Sequence, residues 1–325
     1  MSSVRPLKLF SEAAAKMAGM LEKGKEVSDR GYQRDLLRDV LLYLGENFSR
    51  MEVPRLKGPP RVLTVLPANV PVIPFQMAPL MEAYNLEVVF KIPSSERRFY
   101  RILQGLTGFK FVEMGHSETL KAAREFDFVV GFGGRALGEA LDKLKIPHRF
   151  FGPRFSIGVV GEEGLFPLLA DALSFDGEAC LAPVILFLQE INWEEVEEGM
   201  VRASSMRPPQ RSFNRYSFEY YREFLVYYSQ GAKLWPSQAV FHVKEFPMII
   251  PQRSLFLVRA RTQEEILDFL GERAREVQAL ISSRDLSLLT DETSASLQLQ
   301  PLRSQFPPPG WFFQRGLTLE NFFSP

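Results

Sequence analysis

Val129-Val130-Gly131-Phe132-Gly133-Gly134-Arg135-Ala136-Leu137-Gly138 is the stretch on which the reading of the fold turns. Its apolar start predicts a buried strand, the glycine pair predicts a tight turn, and Arg135 to Leu144 continues at helical spacing. A strand passing through glycines into a helix gathers backbone N–H groups and a helix N-terminus at one point, where a pyrophosphate can bind. The stretch is neither the G-x-G-x-x-G fingerprint in its usual first unit nor a P-loop, which needs Gly-Lys followed by Ser or Thr. Taken alone, it fits cofactor binding and a merely tight turn equally well.

Outward from that stretch the same alternation recurs. Upstream, strands are predicted over Arg61–Leu66, Leu86–Ile92, Phe109–Met114 and Phe126–Gly131, with helices over 74–84, 97–106 and 119–125 between them. Downstream come a strand at Ser156–Val160, a helix at Phe166–Leu173 and a strand at Pro183–Leu188. Strands alternating with helices predict an α/β fold with parallel, doubly wound sheets, whose ligands bind at the carboxyl ends of the strands. Residues 8–50 read as helix from Leu36, Leu37, Val40, Leu41 and Leu44, and Gly58-Pro59-Pro60 breaks the pattern. From Trp193 the texture changes to a helical region interrupted at Pro208-Pro209, then strands near 238–243 and 253–259. A long amphipathic helix is predicted over Thr262–Ile281, with Thr262 as N-cap and Glu264 and Glu265 in its first turn. The expected division is 1–154, 155–300 and a tail over 301–325.

Composition narrows the function. The chain has 325 residues, enough for roughly two domains. Lys plus Arg equals Asp plus Glu at 39 each, which gives no electrostatic footprint for nucleic acid. No run reaches the ~18 to 20 apolar residues that span a bilayer. The N-terminus, with Arg5, Lys8, Glu12 and Lys16 among small residues, lacks the apolar core of a signal peptide, so a soluble cytoplasmic protein is expected. The 28 phenylalanines are read first as core and are compatible with a greasy substrate.

Cys180 is the single cysteine, which excludes an internal disulfide and a cysteine-rich metal site; no metal is expected. It is read either as a buried small hydrophobe or as a nucleophile. It follows Gly177 at a helix-to-strand junction, where backbone N–H groups can lower a thiol's pKa. Asn69, in Pro67-Ala68-Asn69-Val70-Pro71 after the first strand, is a candidate rigid donor to an oxyanion as well as an ordinary turn residue. Lys91, in Phe90-Lys91-Ile92-Pro93-Ser94, can reach a ribose or phosphate, or can snorkel from its strand end. Of the histidines, His116 reads as a surface residue, His242 as structural, and His148 as a group that could assist proton transfer.

In this order the four segments resemble the aldehyde dehydrogenase superfamily, and most closely its LuxC-type acyl-thioester reductase branch. Pro67 to Pro71 is similar to the family's Pro-Trp-Asn-Phe-Pro motif, Lys91-Ile92-Pro93 to its Lys-Pro-Ala segment, and Gly133 to Gly138 to its Gly-Ser-x-x-x-Gly turn. Cys180 falls where the family carries its catalytic thiol. Gly152-Pro153-Arg154 through Ser156-Ile157-Gly158, Pro251-Gln252-Arg253, Val277-Gln278 and the late Gly310-Trp311 to Arg315-Gly316 look LuxC-like. The resemblance covers roughly 60 to 318 and implies two doubly wound domains. It assigns Cys180 as nucleophile and Asn69 as oxyanion donor, with Lys91, Ser94, Gly133, Gly134 and Gly138 at the cofactor.

The resemblance further implies reduction of an acyl-CoA or acyl-protein thioester to an aldehyde, an acyl-protein synthetase as a partner, and a homo-oligomer. Its Glu-Leu-Gly-Gly-Lys motif, whose Glu activates the hydrolytic water, corresponds here to Phe150-Phe151-Gly152-Pro153-Arg154, with Phe150 in the Glu position. That departure favours aldehyde release over acid formation. Ser94 stands where NAD-preferring relatives carry Glu, with Arg97 and Arg98 nearby, so NADPH is expected and NADH is the alternative. Other functional readings are a short-chain CoA-acylating aldehyde dehydrogenase and a non-catalytic relative that serves in binding or assembly, since the chain is shorter than typical members.

Overall fold

The computed structural model describes residues 5–293, 295–298, 300–307 and 317–324. They divide into two compact units with a boundary between Pro153 and Arg154; Pro307 and residues 317–324 return to the first. The predicted tail is therefore shared, 301–306 belonging to the second unit and 317–324 to the first.

The first unit opens with α1 (Pro6–Glu22) and α2 (Arg34–Arg50), two helices where a single helical stretch was expected over 8–50. Gly24 and Gly31 take positive φ in the connector, a conformation that stops a helix. Five strands follow, β1 (Arg61–Val65), β2 (Glu87–Ile92), β3 (Lys110–Glu113), β4 (Phe128–Phe132) and β5 (His148–Phe151). They alternate with α3 (Ile73–Tyr84), α4 (Arg98–Thr107), α5 (His116–Ala123) and α6 (Arg135–Leu144). The sheet is parallel throughout, in the order β3-β2-β1-β4-β5. Leu63, Val89 and Val129 form its core with Leu141 and Ile146. Helices α1 and α2 join it through rings, Phe10 of α1 lying 5.2 Å from Phe75 and 5.3 Å from Phe109, and Phe48 of α2 lying 6.5 Å from Phe75. At the C-terminal segment, the Tyr84 hydroxyl donates to Leu319 O at 2.6 Å, and Arg149 donates to the carbonyls of Phe322 and Ser324.

The second unit contains β6 (Phe155–Val159), α7 (Phe166–Ala172), β7 (Pro183–Leu188), α8 (Trp193–Met206), α9 (Arg215–Tyr228) and the hairpin β8 (Gly231–Trp235) and β9 (Gln238–His242). It continues with β10 (Ser254–Arg259), α10 (Gln263–Leu270), β11 (Val277–Ile281), α11 (Ser287–Glu292) and β12 (Ser296–Gln298). The sheet order is β12-β11-β6-β7-β10-β9-β8, with β8 the antiparallel strand. Thr262 caps α10 as expected, its hydroxyl accepting from Glu265 N at 3.3 Å. The helix expected through Ile281 stops at Leu270, because Gly271 takes φ 51°. Val277–Ile281 is instead a fully buried strand, a run too short for helical periodicity to tell from a helix face. The phenylalanines go largely to the cores: Phe155, Phe187, Phe218, Phe241 and Phe256 all lie in this unit's interior.

Candidate active site

In the first sheet, β1 and β4 are neighbours whose outgoing connections run to opposite sides, so the crevice between their carboxyl ends is the topological switch point. Asn69 sits in the β1–α3 loop and Gly133-Gly134 in the β4–α6 turn, so both flank that point. Lys91 stands one residue before the end of β2, in register with Val65 and half-buried, and burial pushes its ammonium below the ordinary range. Ser94 lies exposed in the loop that follows. Gly134 is the N-cap of α6, and a Cβ added there would meet nothing within 4 Å. Gly138 serves differently. A Cβ at Gly138 would come within 2.7 Å of the Phe150 ring, so this glycine lets α6 settle onto β5. Phe150 is packed between the backbones of Gly131, Gly138 and Gly152 and fills space.

The connector between α1 and α2 braces this edge, a role that carried no sequence signal. The Tyr32 hydroxyl donates to Ala68 O at 3.0 Å, beside Asn69. Fully buried Glu96 accepts from the Ser28 hydroxyl and from the N–H groups of Asp29, Arg30 and Phe99, beside Ser94. The arginines expected near a 2′-phosphate are engaged. Arg97 pairs with Glu113 at 2.8 Å and Arg98 with Glu26 at 2.9 Å, while Asp29 accepts from both of their backbone N–H groups. His148 starts β5 and therefore lies at the amino edge of the sheet, away from the switch point; its Nδ1 contacts Ile146 O at 2.7 Å.

Cys180 belongs to the second unit, in the turn that enters β7 and hence at the amino edge of that sheet. The turn is built from three successive residues with positive φ, Phe175 (51°), Asp176 (59°) and Gly177 (73°). Left-handed backbone costs a non-glycine residue about 1 kcal/mol or more, so something must over-determine the turn. Arg253 does so. It is the bulkiest of the fully buried side chains, and its N–H donates to Asp176 O at 2.9 Å while Nη1 donates to Asp176 Oδ1 at 3.1 Å. Its remaining donors go to Ser237 O, Arg207 O and Gln238 Oε1, and Gln210 N–H donates to the same carboxylate. Desolvation raises the Asp176 carboxyl and lowers the Arg253 guanidinium, but a guanidinium stays charged and keeps the carboxylate ionised beside it. Next in line, the Gln252 amide donates to Glu178.

Two further groups bear on Cys180 itself. The Ser156 hydroxyl donates to Cys180 O at 2.6 Å, and the Gln278 side chain acts on the thiol to lower its pKa. The N–H groups of Cys180 and Leu181 also point at the sulfur, as the loop position predicted. They do not win. Although the residue keeps some solvent contact, crowding by protein pushes the thiol up to about 12, and the expected lowering is overturned by desolvation. Asp176, Arg253, Ser156 and Gln278 were thus missed as site residues; the motifs Ser156-Ile157-Gly158, Pro251-Gln252-Arg253 and Val277-Gln278 were the signal that held three of the four. The late Gly310 to Gly316 motif lies outside the described residues.

No known family model and no curated protein matches the chain by sequence. Solved structures do match. The NAD-dependent aldehyde dehydrogenase of Sinorhizobium meliloti superposes with a TM-score of 0.70 at 14% identity, covering 93% of this chain and 75% of that one. The fold is an aldehyde dehydrogenase fold. A Mycobacterium tuberculosis aldehyde dehydrogenase, solved with NAD+, gives a TM-score of 0.68 at 11% identity over 92% of this chain and 77% of its own. An NADP-dependent enzyme of E. coli gives 0.66 at 12% over 92% and 76%. The α/β architecture with parallel-dominated sheets is therefore shared with aldehyde dehydrogenases, at identities that speak for the fold alone. Among the described residues no helix is long and apolar enough to cross a membrane.

Proposed function

We propose that the protein reduces an acyl thioester to an aldehyde through an acyl-Cys180 intermediate, with NADPH as reductant. The observation that carries this reading is the Cys180 turn: a lone thiol on a strained loop braced by a buried ion pair, its peptide held by the Ser156 hydroxyl, on an aldehyde dehydrogenase fold. Structural packing of a cysteine needs none of that apparatus.

The first unit fits a nicotinamide cofactor. Gly133 and Gly134 leave open space above the N-terminus of α6 at the switch point, and Lys91 stands on the adjoining strand. Lys91, Ser94, Gly133 and Gly134 would hold the cofactor, with Gly138 setting the helix beneath it. When bound, it supplies the hydride that reduces the acyl carbon. Ser94 adds no negative charge against a 2′-phosphate, and the exposed pairs of Arg97 and Arg98 are worth only about 0–1 kcal/mol, so either arginine can exchange its carboxylate for a phosphate.

Cys180 sulfur attacks the thioester carbonyl, forming the new C–S bond. The old C–S bond then breaks, and the carrier leaves as a thiol with the proton that Cys180 lost. Donation from the Cys180 N–H stabilises the tetrahedral oxyanion; the family resemblance assigns Asn69 as a second donor, and one such donor commonly lowers the barrier by about 3–4 kcal/mol. After reduction, the hemithioacetal oxygen returns its electrons to carbon, the C–S bond breaks, and aldehyde leaves Cys180 as a thiol again. Phe150 is no base for water, in keeping with aldehyde rather than acid as product. The acyl donor in this reading is a fatty acyl-CoA or acyl-protein, and a homo-oligomer served by an acyl-protein synthetase is part of the same proposal.

The test is incubation with acetyl, octanoyl and palmitoyl CoA without reductant, read by intact mass. An acyl adduct that Cys180→Ser abolishes is expected, and its chain-length preference separates the fatty from the short-chain enzyme. No adduct with any donor, joined to absent thioester-dependent NADPH oxidation, overturns the proposal. That outcome would favour a second reading, a non-catalytic relative, for which the thiol's rise to about 12 is the supporting observation.

A further inference from the structure

The solvent face of α9 carries more aromatic surface than its buried face. Toward the core of its own unit the helix commits only Phe218 and Leu225 as buried side chains. Outward it presents Tyr216, Tyr220, Phe224 and Tyr228, four rings repeating at every fourth residue, with Tyr227 between the first two in projection. Tyr216 stacks on Tyr220 with centroids 6.4 Å apart, and Phe224 lies 4.5 Å from Tyr228, so the ridge is two ring pairs set end to end. A surface helix ordinarily turns charged and polar residues to water, and one that is apolar on both faces is covered on both.

The area left bare decides what kind of contact this face serves. Tyr216 is 79% exposed, Tyr220 64%, Tyr227 88% and Tyr228 66%. At roughly 150–250 Å² per aromatic side chain, these four rings alone leave about 450–750 Å² open to water. The largest apolar patch on a typical monomer is about 300–600 Å², whereas each side of a stable interface buries about 800 Å². Phe224 and Val226, each more than a third exposed, close much of the difference. The composition agrees, since tyrosine is enriched among the residues that dominate interface energetics.

We propose that this face is the contact between two copies of the chain, α9 crossing its own counterpart antiparallel about a two-fold axis near Tyr220 and Glu223. Three properties select a second copy. A ridge of every fourth residue packs into the matching groove of an identical helix, the commonest helix crossing in globular proteins. The antiparallel crossing brings Arg215, at the start of one helix, toward Tyr227 and Tyr228 at the end of the other, where aromatic faces and the negative end of the helix dipole both attract a cation. Charges on the face balance, Arg215 pairing with Glu219 at 2.7 Å and Arg222 standing next to Glu223, and the whole chain has formal net charge +0, so two copies meet without net repulsion. The same balance leaves no basic rim for an anionic membrane surface. The inference gives the homo-oligomer of the acyl-thioester reading its contact surface, and its test uses neither thioester nor cofactor.

Sedimentation velocity of the full chain at micromolar concentration should show a dimer. Tyr220→Arg, which sets two cations near the axis, and the triple variant Tyr216→Ser, Tyr220→Ser, Tyr227→Ser should each weaken association about a hundredfold or more. Circular dichroism and Tm should stay unchanged, because these side chains stand outside the core. In a Cys180→Ser background, Glu223→Cys should join the two copies by a disulfide on mild oxidation, since facing positions near the axis lie within its reach. A monomeric full chain, or a dimer that the tyrosine variants leave intact, would overturn the proposal; dissociation in those variants without the disulfide would overturn the antiparallel crossing. Acyl adducts on a monomeric full chain would remove this interface and keep the thioester reading, and a dimer broken by the tyrosine variants that forms no adduct would do the reverse.

Discussion

The two sheets of this protein are used at opposite edges. In the first unit the residues of interest gather at the carboxyl ends of parallel strands, around a glycine turn that leaves room above a helix N-terminus. In the second unit Cys180 stands at the amino edge, on a turn with three positive φ angles and a buried ion pair beneath it. The first edge is open and assembled from backbone, as suits a ligand that brings its own charge. The second is closed and held by buried polar side chains, as suits one reactive atom that must not move.

The comparison can be broken most directly at the sulfur. Cys180→Ser should lower thioester reduction by about a thousandfold or more while leaving cofactor affinity intact, as measured by turnover and by fluorescence titration with NADPH. If cofactor affinity falls in parallel, the two edges are not separable. Next in size, Arg253→Met strands the Asp176 carboxylate in the interior and should cost about 3–5 kcal/mol in urea unfolding. A loss below 1 kcal/mol would mean that the turn does not depend on the pair.

A pH effect of a few kcal/mol is expected from Asp171, which is fully buried on α7 and accepts from Leu302 N–H and the Ser304 hydroxyl. Burial raises its carboxyl from 3.8 to about 7, against the pull of those two donors. The folded state therefore keeps a proton that the unfolded state releases, and the stabilisation present below about pH 4 is lost as pH rises through 7. Asp171→Asn should flatten the fall in unfolding free energy between pH 5 and 8; an unchanged slope would place the titration elsewhere.

The smallest effects sharpen the first edge. Gly138→Ala should cost about 1–3 kcal/mol by driving a methyl into Phe150. Gly134→Ala, with open space around it, should cost under about 1 kcal/mol of stability yet weaken NADPH binding several-fold. Equal stability losses at the two positions would contradict this division of labour between the glycines.

Local pattern made the alternation of strands and helices legible, and with it the parallel sheets and the places of Asn69, Lys91, Gly133 and Cys180 at strand ends. Period and punctuation are properties of short stretches, so they survive without tertiary contacts. Tertiary structure decided the rest. Arg253 reaches the turn before Cys180 from 77 residues away along the chain, through a buried pair with Asp176 that no periodicity announces. Tertiary structure also turned Val277–Ile281 from an expected helix into a strand, and brought residues 317–324 back onto the first sheet. The state of the thiol was settled there too: the sequence by itself placed Cys180 among backbone donors, but desolvation sums over every neighbour in space and pushes the sulfur up to about 12.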